Sequence, residues 1–161
     1  MVDHTDNSVV YQESGGDLAF LLMGAFRSLV DDVHAQLSKD GFPDARPVHG
    51  FTLQALGGGA TAVELAERLG VTKQAVAKTI TRLEEGGYVA RAVDAADSRR
   101  KLITPTERGR ALLVASARAF DDALDAWRAQ AGEVAITGMI ATLRAVQRGE
   151  SVPLDLGAWS G

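Results

Sequence analysis

Residues 61–87, TAVELAERLGVTKQAVAKTITRLEEGG, are the stretch whose reading decides the fold. They open on Thr61-Ala-Val-Glu64, the form of a capping box, in which a hydroxyl and a carboxylate each bind a backbone N–H of the other's residue. A helix is expected to start there, with Val63, Ala66 and Leu69 facing inward. Gly70 is placed to close it, because glycine enters the left-handed conformation without steric cost, and Thr72 can cap a second helix. Helix, short turn with glycine, helix is the helix-turn-helix plan.

Helical spacing over Thr72 to about Glu85 separates two faces. Val76, Thr79, Ile80 and Leu83 form the side to be buried. Gln74, Ala77, Lys78 and Thr81 gather on the opposite side with Lys73 at its edge, and Thr72 and Arg82 complete a candidate DNA-contact set. Small Ala and Thr side chains permit close approach to base edges, Gln can pair with adenine through two hydrogen bonds, and Lys reaches phosphate or guanine. A merely solvated polar face would look similar. Its position second in a helix-turn-helix is what favours a reading surface.

The chain continues with Glu84-Glu85-Gly86-Gly87 as a helix stop and Tyr88 to Val93 as a short strand. Residues 94–98 carry turn chemistry, and Arg99 to Thr104 can return as the paired strand. The expected hairpin bears Arg99, Arg100 and Lys101 at its tip, cations that repel one another unless solvent or phosphate screens them. Asp97 can hold the Arg99 guanidinium through a bidentate ion pair. These four residues are therefore the wing's share of the candidate DNA site.

The run from Glu64 to Leu112, ELAERLGVTKQAVAKTITRLEEGGYVARAVDAADSRRKLITPTERGRAL, resembles the DNA-binding core of the MarR family of regulators. In that family an Asp, an Arg two places on, an apolar strand and a Leu-Thr-x-x-Gly motif follow in fixed order. Here Asp97, Arg99, Leu102, Ile103, Thr106 and Gly109 stand at matching spacing. Pro105 replaces the usual Leu and Ser98 a common second Arg. The resemblance implies a homodimer with intertwined terminal helices, two recognition helices in successive major grooves and two wings at the flanking minor grooves. It also implies a repressor on a palindromic operator, released by a small aromatic or phenolic ligand held between the dimer helices and the DNA-binding lobe. No ligand-binding residue is assigned by the sequence.

The flanks agree with a mainly α winged-helix fold. From Asp17 to about Lys39, Leu18, Leu22, Ala25, Phe26, Leu29, Val33 and Leu37 recur on one helical face, widened by Leu21 and Val30. A short helix is expected from about Val48 to Leu56, before the turn Gly57-Gly58-Gly59. From Thr106 to about Ala129, Leu113, Ala117, Phe120, Leu124 and Trp127 repeat as a seam for another long helix. A last helix from about Glu133 to Arg148 shows Ile136, Met139, Ile140 and Leu143 on one side. The expected organisation is an arm over residues 1–16 and one domain over 17–161. Within it, residues 48–105 form the DNA-binding lobe, and 17–47 with 106–161 the dimerisation region.

Charge divides along the same lines. The net formal charge is −4, yet residues 61–110 carry ten Lys and Arg against seven Asp and Glu, which leaves +3 there and −7 elsewhere. A basic segment on an acidic body steers a polyanion to one face. Other functions find little to work with. There is no cysteine, and His4, His34 and His49 are scattered, so no metal site and no cofactor is expected. No nucleophile elbow, Walker loop or HExxH motif is present, and His34 with Asp31 and Asp32 lacks a partner nucleophile; no catalytic residue is expected. The polar start and the absence of a long apolar run point to a cytoplasmic protein without membrane contact. A winged-helix module for protein association alone, and more remotely a small enzyme, are the competing readings.

Overall fold

In a computed structural model, residues 14–93 and 101–147 are described. Among them, six helices and one antiparallel strand pair follow in the order α1 (Gly15–Lys39), α2 (Pro47–Leu56), α3 (Ala62–Leu69), α4 (Lys73–Glu85), β1 (Val89–Val93), β2 (Lys101–Pro105), α5 (Glu107–Ala131) and α6 (Glu133–Val146). The fold is mainly helical, with a winged helix-turn-helix at its centre.

Each boundary has a local cause. α1 begins at Gly15, two residues earlier than the apolar pattern suggests, because Ser14 and Asp17 form a capping box: the Asp17 N–H donates to Ser14 Oγ and the Ser14 N–H to Asp17 Oδ2. Thr61 and Glu64 make the expected box at the head of α3, the Thr61 N–H donating to Glu64 Oε2 at 2.8 Å. Gly70 closes α3 at φ 65°, in the left-handed region, and the Thr72 hydroxyl accepts the N–H of Ala75 to start α4. Arg68 donates to the carbonyls of Ala55 and Leu56, satisfying acceptors that the last turn of α2 leaves over.

The core is one cluster centred on α2, α3 and α4, reached by the second half of α1, by Tyr88, Val89 and Ile103, and by one stripe of α5. Val76, Thr79, Ile80 and Leu83 are buried as the spacing of α4 requires. One inward assignment on α3 is wrong. Val63 is 43% exposed while Leu65 is fully buried, because the helix turns Leu65, Ala66 and Leu69 to the core and leaves its first turn at the surface. On α5 the fully buried positions are Gly109, Leu112, Ala119 and Ala123. The seam residues Leu113, Phe120, Leu124 and Trp127 are only half-buried within this one chain, and Ala117 is exposed.

β1 and β2 pair antiparallel, from Val89 opposite Pro105 to Val93 opposite Lys101. Pro105 thus sits at the strand end, where its missing N–H is tolerated. Ala60 adds a bridge to Ile103, with N–H to O distances of 3.1 and 2.8 Å, and so ties the turn before α3 to the hairpin.

α5 crosses the start of β1 at glycine. A Cβ at Gly109 would collide with the Tyr88 carbonyl, and that backbone is held in place by Tyr88 N–H to Leu83 O at 2.8 Å and Thr106 N–H to Tyr88 O at 3.0 Å. Gly109→Ala is therefore expected to lower stability by about 1–3 kcal/mol, the range for overpacking against a fixed neighbour. Gly58→Ala, where nothing lies within 4 Å of the added methyl group, should be neutral or gain up to about 1 kcal/mol. Urea denaturation of the two variants beside the parent checks the contrast.

Candidate nucleic-acid interface

Thr72, Lys73, Gln74, Ala77, Lys78, Thr81 and Arg82 are all exposed on α4. The buried stripe behind them fixes the rotation of the helix, so these side chains share the outward face. The Thr81 hydroxyl donates to the Ala77 carbonyl at 3.0 Å, which satisfies it within the helix. Lys101 is exposed at the head of β2. Asp97, Arg99 and Arg100, with the expected Asp97–Arg99 ion pair, lie outside the described residues.

An open groove of about 670 Å³ runs along this strip, lined by Gln74, Ala77, Lys78, Thr81 and Arg82 of α4 and by Val48 and His49 of α2. No carboxylate is among its lining residues. The sequence did not mark the α2 side, since a lone His after Pro47 carries no motif. Arg46 donates its backbone N–H to His49 Nδ1 at 3.3 Å, which leaves the ring proton of the neutral form on Nε2. His49 is 5% exposed, and its pKa is pushed down to about 4. Burial is the main cause; Arg82, Arg46 and His34 add to it, and Asp44 opposes it.

A second group unmarked by the sequence stands behind the hairpin. The Tyr88 hydroxyl donates to Asp44 Oδ1 at 2.6 Å, and this bond holds the Asp44 carboxyl below its ordinary pKa. Arg108 lies over the rings of Tyr88 and Phe42, 4.9 and 5.4 Å from their centroids, and donates to the Gly86 carbonyl at 3.2 Å. Four segments are joined in this way: the α1–α2 loop, the end of α4, the start of β1 and the head of α5.

On the other side of the first turn of α2, a cleft of about 470 Å³ opens between α1, α2 and α5. Its walls include Val33, Leu37, Phe51 and Phe120, with His34 and Arg46 as polar groups. His34 Nε2 is buried without a hydrogen-bond partner, and burial, then Arg46, lowers its pKa.

A buried-backed helix with a small, polar and basic strip from Lys73 to Arg82 thus stands beside a two-stranded hairpin. The sequence model of the MarR family matches residues 51–100, which run from within α2 through β1 to just before β2. Over that segment the chain is similar to the MarR family, and the fold around it is a winged helix-turn-helix. MarR from E. coli in its apo form has the same fold, with a TM-score of 0.64 at 20% identity over 81% of this chain and 97% of that one. The S. aureus MepR–DNA complex matches at 0.61 and 27%, covering 79% of this chain and 93% of MepR. CouR from Rhodococcus jostii RHA1, bound to p-coumaroyl-CoA, matches at 0.63 and 25%, covering 88% and 99%. No curated protein matches the chain. Among the described residues no helix is long and apolar enough to cross a membrane, and no group of acidic, His or Cys side chains could hold a metal ion.

His49 makes this MarR-like fold sensitive to acid in a defined window. Its folded pKa lies below the ordinary 6.5, so as pH falls the unfolded chain takes up the proton first. The stabilisation is present above pH 6.5 and is lost on the way down to pH 4. Between pH 7 and pH 5 the loss from this group should be on the order of 2 kcal/mol. His49→Gln should lose less than the parent over that interval when both are followed by urea denaturation at the two pH values.

Proposed function

We propose that this regulator binds double-stranded DNA as a homodimer, with α4 in the major groove and the β1–β2 wing against the neighbouring minor groove. The observation that carries the reading is the strip Gln74, Ala77, Lys78, Thr81 and Arg82. It is exposed, lined by no carboxylate, and carried on the second helix of a helix-turn-helix. The MepR relative bound to DNA supports it. In this reading Thr72 and Lys73 meet phosphate at the head of α4, and Asp97, Arg99, Arg100 and Lys101 form the cationic tip of the wing.

The dimer follows from apolar surface that one chain leaves uncovered. Leu18, Phe20, Leu21 and Met23 on the first turns of α1 are 59%, 73%, 65% and 53% exposed, and Val134 of α6 is 87% exposed. Side chains of this kind at such density favour burial against a second copy. A twofold dimer presents two identical lobes and so fits a palindromic operator, on which we propose that the protein acts as a repressor.

The cleft between α1, α2 and α5 is the proposed effector site. Its apolar walls suit an aromatic ring, while His34 and Arg46 suit a carboxylate or phenolate. CouR with p-coumaroyl-CoA bound supports a ligand of aromatic-acid type. A ligand that prefers one separation of the two lobes shifts the dimer away from DNA by that difference in affinity.

Equilibrium binding to DNA across a salt titration tests the reading. Lys78→Ala should weaken binding to all sequences and reduce the logarithmic salt slope by about one per lobe. Gln74→Ala should instead relax preference at one base pair in each half-site, by roughly 1–3 kcal/mol. A parent protein without affinity for duplex DNA at low salt, or a Lys78→Ala variant with an unchanged slope, refutes it.

A further inference from the structure

The recognition helix and the wing are braced by one side-chain pair. Arg91 donates from Nε to Glu84 Oε1 at 2.8 Å and from Nη2 to Glu84 Oε2 at 3.0 Å. Glu84 lies in the last turn of α4, and Arg91 is the central residue of β1. Two parallel charge-assisted bonds fix angle as well as distance, which a single contact does not. The bond to Glu84 and its charge also raise the pKa of Arg91.

Among the described residues, little else holds β1 on this side. Only Val89 of the strand is buried, the next four residues are exposed, and Val93 is 66% exposed. A two-stranded sheet is marginal by itself, so its direction depends on what ties it to the lobe. β2 has the bridge between Ala60 and Ile103. β1 has the turn at Gly86-Gly87, with Gly87 at φ 72° and its N–H bonded to the Glu84 carbonyl, and then the Glu84–Arg91 pair. Residue 84 therefore anchors the chain twice, through its backbone before the turn and through its side chain after it.

We propose that Glu84 and Arg91 are positioning residues: their ion pair is a strut that holds the wing at its working angle to the recognition helix. The inference rests on the DNA-binding reading above. It has a consequence opposite in sign to plain electrostatics. Glu84 places a negative charge beside a polyanion and occupies an arginine, so on charge alone its removal tightens DNA binding and adds about one unit to the salt slope. As a strut, its removal weakens binding, because a loosened wing must then be ordered each time DNA binds.

The test compares the parent with Glu84→Gln and with the exchanged pair Glu84→Arg/Arg91→Glu. Two quantities are read: affinity for a random-sequence duplex across a salt titration, and amide hydrogen exchange in the free protein. Glu84→Gln should bind DNA more weakly, by up to about fivefold per lobe, the weight of one exposed pair. Amides of residues 89–93 and 101–105 should exchange faster while those of α5 stay unchanged, and the exchanged pair should recover both properties. Tighter DNA binding by Glu84→Gln, or unchanged exchange in the wing, overturns the strut. If the parent fails to bind DNA while Glu84→Gln still loosens the wing, the brace stands and the DNA-binding reading falls. If the parent binds and the wing does not loosen, the reverse holds.

Discussion

Tyr88 stands where four pieces of chain meet, and α5 can reach it only because residue 109 is glycine. The Tyr88 backbone bonds to Leu83 on one side and Thr106 on the other, its ring is buried, and its hydroxyl ends on Asp44. These contacts set the exit of α4, the start of the wing and the crossing of the long helix at one place. Arg108 closes the group from above, stacked on two rings and bonded to the Gly86 carbonyl. A shift of α5 relative to the lobe must therefore move the end of the recognition helix as well. α5 and the end of α4 are thus joined through Tyr88.

The second organising fact is the asymmetry of surfaces. α4 turns its apolar stripe inward, its outward face from Lys73 to Arg82 carries small, polar and basic residues with Glu85 exposed at its end, and the groove beside it has no acidic lining. The acid is elsewhere in the chain, and the exposed apolar residues concentrate on the first turns of α1. The first turn of α2 lies between the two openings of the fold. Arg46 and Pro47 face the cleft, whereas Val48 and His49 face the groove along α4. The hydrogen bond from the Arg46 backbone to His49 links those two faces within a single helical turn.

Much of this architecture was legible in the sequence because its signals are local. The Thr61–Glu64 box, Gly70 and Thr72 act within a few residues, and each does in the structure what its chemistry implies. The 3.6-residue spacing of α4 was long enough to fix its buried face, and with it the exposure of Lys73, Gln74, Ala77, Lys78, Thr81 and Arg82. Three turns or fewer were not always enough. In α3 the choice between Val63 and Leu65 depends on where neighbouring helices lie, and tertiary packing decided for Leu65. His49, Asp44 and Arg108 were not legible at all, because their roles come from the fold's own grooves and from Tyr88, which lies 44 residues from Asp44 and 20 from Arg108. The arrangement of Asp97, Arg99 and Arg100 rests on the sequence alone.

The central claim is that two identical lobes of this chain read DNA together. Selection of binding sites from a pool of random duplexes, followed by footprinting of the enriched sequences, tests it most directly. The account predicts an inverted repeat whose half-site centres lie about one helical turn, or roughly 10 base pairs, apart, with both halves protected together. No enrichment over the starting pool, or an enriched site without twofold symmetry, would contradict it.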